Sequence, residues 1–119
     1  MFILASVLAA VVGGAFVLLG LAKVAERSMM VDARVHLGIP KALWRVIGAL
    51  EIVGGAGLIV GLHEDLPAVG VLAAAGLVGM TIGATYYHQR AEDRIPEWLP
   101  AVAAGTLAIF YGIARVGSA

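Results

Sequence analysis

Four apolar stretches, each close to the length that crosses a bilayer, divide most of this chain between them. A hydrocarbon core of roughly 30 Å takes about 20 helical residues. Residues 2–22 form the first stretch, ended by Lys23. Residues 46–62 form the second, opened by Trp44 and Arg45 and interrupted by one acid, Glu51. Residues 66–87 form the third, closed by Tyr86, Tyr87 and His88, and residues 98–114 the fourth, with Pro96 and Pro100 at its start and Arg115 at its end. Trp44, Trp98, Tyr86 and Tyr87 mark span ends, where amphipathic rings prefer the headgroup layer. The expected fold class is an all-α membrane protein, a single domain over residues 1–119 built as a four-transmembrane-helix up-down bundle.

The charge content excludes the alternatives. Of 119 residues 61% are hydrophobic and only 13% charged, too few to cover a water-facing surface. The net charge is zero, which gives nucleic acid nothing to bind; the expected surroundings are the lipid bilayer. With no cysteine, the chain cannot form disulfides, hold iron–sulfur clusters, attach haem by thioethers or run dithiol chemistry. The first stretch is too long for a signal-peptide core and lacks a basic leader, so it reads as a span that is retained. Neither a Gly at position 2 nor a C-terminal Cys box signals lipidation.

Four spans place both termini on one side. The two loops on the other side hold Lys23, Arg27, Arg34, Lys41, Arg45, Arg90 and Arg94, against Arg115 alone opposite. Basic loops stay cytoplasmic, so the expectation is a multi-pass cell (inner) membrane protein with both termini outside the cytoplasm. Within the first cytoplasmic loop, Met29, Met30, Ala33 and Leu37 share a helical face, and Gly38 and Pro40 stop it. A short interfacial helix, or an ordered connector without a membrane role, follows. The 16 glycines lie mostly inside spans, where small residues let helices approach. Gly57-x-x-x-Gly61 and Gly79-x-x-x-Gly83 read as packing seams, joined by Gly13, Gly14 and Gly20 in the first span and Gly105 and Gly112 in the fourth. Such seams serve packing within the chain or a homo-oligomer.

Glu51 is the residue whose cost demands a reason. It lies seven residues, roughly 10 Å, inside Trp44, where an acid costs about 2.5–3.5 kcal/mol to insert. Gly48, Gly54 and Gly55 surround it on the helical wheel, so it faces the bundle. There it would relay a proton, bind an ion or act as general acid/base; alternatively it hydrogen-bonds a neighbouring helix or pairs with Lys23. Thr81, Thr85 and His88 form a stripe at i, i+4, i+7, flanked by Tyr86 and Tyr87. A cavity lined by these groups is expected on the cytoplasmic half. Glu51 and His88 are its candidate catalytic residues, and Lys23, Thr81, Thr85 and Tyr87 its candidate ligand contacts. The bland reading has the threonines bonded to their own backbone and His88 simply interfacial. His36, His63 and His88 have no metal-ligand spacing, so the site is expected to be metal-free.

Several segments, taken in order, resemble the DoxX-like family of small four-helix membrane proteins. They are Gly20-Leu21-Ala22-Lys23, then Leu37-Gly38-Ile39-Pro40 leading into Trp44, then Ile47-Gly48-Ala49-Leu50-Glu51-Ile52-Val53-Gly54-Gly55, and Ala84-Thr85 through His88-Gln89-Arg90-Ala91-Glu92-Asp93. Tyr86-Tyr87 stands as two extra residues before the histidine. The resemblance implies the bundle fold, with Lys23, Glu51 and His88 around a polar centre. The family resembles the small membrane subunit of archaeal thiosulfate:quinone oxidoreductase, which implies an accessory subunit binding a quinone-like lipophile or a membrane redox partner, with no cofactor of its own beyond a quinone. Two other functions fit the residues: a small membrane enzyme, of isomerase or epoxide-opening type, with Glu51 as acid/base, and a proton-coupled exporter. An ion pair between Glu51 and Lys23 would count against the enzyme; the absence of an acid from the first span counts against the exporter.

Overall fold

The computed structural model describes all 119 residues. Four long helices cross-pack antiparallel: α1 (Phe2–Val24), α3 (Lys41–Val60), α4 (Pro67–Arg90) and α5 (Ile95–Gly117). The short α2 (Ser28–Leu37) lies between α1 and α3. Each long helix is long and apolar enough to cross a membrane, so this is a small multi-pass membrane protein. Most large apolar side chains on the outer faces are exposed, Ile3 at 80% and Leu72 at 73% among them, as lipid solvation requires.

The spans run past their expected ends. Lys41 and Arg45 belong to the first turns of α3, and α4 continues through His88 to Arg90. Their charged tips reach outward while the stems follow the helix, so hydropathy alone truncates these elements. In α5 the start moves out to Ile95; Pro96 fits the first turn, where no intrahelical donor is lost. Pro100 lies farther in and removes one ladder bond. A turn of π-helix interrupts α1 over Ala9–Gly13.

The helix α2 ends as its sequence says. Gly38 adopts φ 69°, the left-handed position a helix C-terminus favours for glycine, and Pro40 follows. Leu37 and Ile39 are buried with Trp44, and Met30 and Ala33 pack beside them. Met29 does not join this face; it is 73% exposed. Trp44 does not face outward; it is buried within the loop end of the bundle.

Glycine decides how close the helices come. A Cβ at Gly13 would stand 2.7 Å from the Gly55 carbonyl oxygen, and one at Gly48 would stand 2.9 Å from that of Gly20. α1 and α3 therefore touch backbone to backbone. Gly57 meets Ala73 on α4, and Gly105 meets the Thr81 side chain across the α4–α5 joint. The Gly79-x-x-x-Gly83 seam is not used inside the chain: a Cβ at either position, or at Gly14, would meet nothing within 4 Å. Spacing identifies a smooth helix face but not what lies opposite it.

At the terminal end, two polar side chains of α5 pin α3 and the turn that follows it. The Tyr111 hydroxyl donates to the Leu58 carbonyl oxygen at 2.6 Å. Arg115, 2% exposed, donates from Nε to the Gly61 carbonyl (2.6 Å) and from Nη2 to the His63 carbonyl (3.0 Å). The Leu58 and Gly61 carbonyls are acceptors left free at the C-terminal end of α3, where a cation is favoured; the His63 carbonyl, in the turn beyond, also accepts from the Leu66 N–H.

Candidate functional site

At the loop end the four long helices separate around a cavity of about 620 Å³. Of its 24 lining residues 18 are hydrophobic, so the space suits a largely apolar guest. Lys23, Glu51, Thr81, Tyr87 and His88 all line it, on α1, α3 and α4. Glycine placement explains why Glu51 is there: Gly48 and Gly55, one turn to either side, seat α3 against α1 and turn the intervening side chain inward.

Glu51 is 4% exposed and its carboxylate Oε1 accepts from the Lys23 ammonium. Lys23, the last basic residue of α1, bends back over the wall, and its Nζ also lies 4.9 Å from the Trp44 ring centroid. The ammonium thus meets a carboxylate and an aromatic face, both favourable for a desolvated cation. Trp44 contributes a second polar group. Its indole N–H is buried without a hydrogen-bond partner, an uncommon state for a donor inside a protein.

The polar stripe of α4 divides. Thr81 is buried in the cavity wall, its hydroxyl donating to the Val78 carbonyl at 2.8 Å. Thr85 donates to the Thr81 carbonyl at 2.8 Å and lies in a separate shallow groove facing outward between α4 and α5. It does not reach the cavity. Of the two tyrosines, Tyr87 faces the cavity and Tyr86 is exposed, their rings meeting edge to face.

His88 enters a cluster that spacing alone does not reveal. Its Nδ1 lies 2.7 Å from Asp93 Oδ2, while His36 Nε2 on α2 lies 2.6 Å from Asp93 Oδ1. An ionised carboxylate only accepts, so each imidazole donates. The two bonds, that of His88 first, hold the Asp93 carboxyl below the usual carboxylate range. The positive φ of Glu92 (60°) turns the chain just before Asp93. The cluster fastens α2 beneath the cavity. Glu26 makes a second fastening on the other side of α2, accepting from Arg45 (2.6 Å) and Lys41 (3.2 Å), and these bonds hold its carboxyl low as well.

A model of the DoxX-like family matches residues 7–111, a stretch that includes the bundle, the cavity and the α2 floor. The chain belongs to this family. No curated protein and no solved structure matches it. Family membership accords with the order of segments in the sequence, from the Lys23 end of α1 through the Glu51 helix to the exit of α4.

Proposed function

We propose that this membrane protein is an accessory subunit whose cavity holds one lipophilic, quinone-like molecule. The observation that carries the reading is the pairing of a roomy apolar cavity with one compact polar end, the Lys23–Glu51 ion pair. The pair carries no net charge yet offers both donors and acceptors. An ammonium has three N–H groups and a carboxylate four acceptor positions. A neutral ring bearing carbonyl or hydroxyl oxygens matches this end, and an apolar tail matches the rest.

The chain has no cysteine with which to carry thiol or cluster chemistry, so electrons for such a guest come from a membrane redox partner. The engagement of Glu51 by Lys23 counts against the acid/base enzyme. The Lys and Arg bias sets the cavity end toward the cytoplasm, with both termini outside and the inner membrane as the location.

Fluorescence tests the reading. A Trp98→Phe variant in phospholipid vesicles leaves Trp44, in the cavity wall, as the single indole. Titration with a decyl-substituted benzoquinone is expected to quench it saturably, at one quinone per chain. Quenching that only rises in proportion to the quinone dissolved in the lipid would count against a bound guest.

A further inference from the structure

Four joints hold a four-helix bundle together, and in this chain one is sealed over only half its length. The α1–α3 and α4–α5 joints are closed by glycine contacts. The α3–α4 joint is closed so from Gly54 to Gly61, and nearer the loops Trp44 and Ile47 of α3 and Tyr87 of α4 meet in the α2 cluster. The α1–α5 joint is closed at the terminal end, where Ala5, Leu8 and Val12 share a core with Ala108, Tyr111 and Ala114, and where the Phe2 ring lies 5.9 Å from the Arg115 guanidinium. Beyond the π-helical turn the partnership ends. The segment Gly14–Val24 packs against α3 and leaves α5.

The consequence shows in side chains on either side of this gap. Ala15 and Leu19 on α1, and Pro100 and Ala103 on α5, line the cavity and are exposed. No second layer of protein stands between cavity and lipid there. The route from water is covered by contrast: α2 lies across the loop end, with Leu37, Ile39 and Trp44 packed beneath the cavity and Asp93 fastened to both His36 and His88. Both backbone irregularities, the π turn of α1 and Pro100 of α5, sit on the two helices that border the gap. Such interruptions are where helices bend.

We propose that the cavity is loaded sideways from within the bilayer, through the α1–α5 gap, by a molecule with one apolar tail and a neutral oxygen-bearing head. The proposal rests on the cavity-binding reading above and adds the path and the ligand class. A head carrying net charge would have to displace one partner of the Lys23–Glu51 pair; a neutral head joins it. The tail needs no dehydration, because it moves from lipid into an apolar slot at the same depth.

The test is kinetic. Vesicles of zwitterionic phospholipid containing the Trp98→Phe protein are mixed with decyl-benzoquinone, and the approach of Trp44 fluorescence to its quenched plateau is timed. Ala15→Phe and Ala103→Phe, on opposite sides of the gap, are each expected to slow that approach at least tenfold. Ala49→Phe, on an exposed position of α3 outside the cavity, is expected to leave it unchanged. Protein loaded with the quinone in detergent before reconstitution is expected to show a quenched plateau in every variant, whatever its depth, which separates a blocked path from a lost site or a failed fold. Loading as fast in both blocked variants as in the parent would overturn the lateral path while leaving the cavity reading intact. An absence of any saturable phase in the parent would instead remove the cavity reading, and this proposal with it.

Discussion

An ammonium and a carboxylate moved together into an apolar interior lose hydration that their attraction returns only while both are present. Lys23 and Glu51 are in that position, at 13% and 5% side-chain exposure. Glu51→Gln is therefore expected to leave an uncompensated ammonium and to cost about 3–5 kcal/mol of stability, read as a lower thermal midpoint in detergent. The double variant Lys23→Met/Glu51→Leu is expected to recover most of that loss without recovering quinone quenching of Trp44. Recovery of both would make the pair purely structural. At this scale the sequence was legible in part. An acid inside a span announces itself, and Lys23 at the neighbouring span's end was one of its two foreseeable partners. Asp93 was not legible, because its importance arises only when α2 folds back to put His36 beside it. Arg115 was equally hidden: a terminal arginine reads as an interfacial charge until the Gly61 and His63 carbonyls, just past the end of α3, are in view.

For the helices, the test lies in the glycines. Gly48 and Gly79 look alike in sequence, each on a small-residue face, yet only the first is filled. Gly48→Ala is expected to push α1 from α3 and cost about 1–3 kcal/mol, the range for overpacking. Gly79→Ala, with nothing within 4 Å to strike, is expected to cost nothing measurable. Thermal unfolding of the two variants side by side compares them. The amphipathic pattern of α2 was legible, but its direction was not, since a face suited to lipid is equally suited to a cavity floor. Its fastening is pH-sensitive with a definite sign. Asp93 has its carboxyl lowered in the fold from an ordinary 3.8, so its bonds stabilise α2 at full strength above that value. The stabilisation fades as pH falls through the lower, folded value. Amide protection in α2 is expected to be high at neutral pH and to drop in strong acid, and Asp93→Ala is expected to show the low protection already at neutral pH. Protection unaffected by either change would mean that apolar packing alone holds α2.

Across the whole molecule, the number of spans and their antiparallel order followed from hydropathy, because lipid rewards one uniform pattern over some 20 residues. The cavity did not follow. It lies where α1 leaves α5 midway, beyond a π turn and along the glycine contacts that hold α1 to α3 instead. Neither is encoded in hydrophobicity. On the proposed function, a lipophile occupies this space in the working protein. Native mass spectrometry of the chain released from a mild, lipid-retaining extract is the decisive measurement. A retained neutral lipophile is expected at one per chain, alone or with a second polypeptide at fixed stoichiometry, and is expected to be lost in the Lys23→Met/Glu51→Leu variant. A chain that emerges bare from such an extract, or that keeps its guest equally well without Lys23 and Glu51, would contradict it.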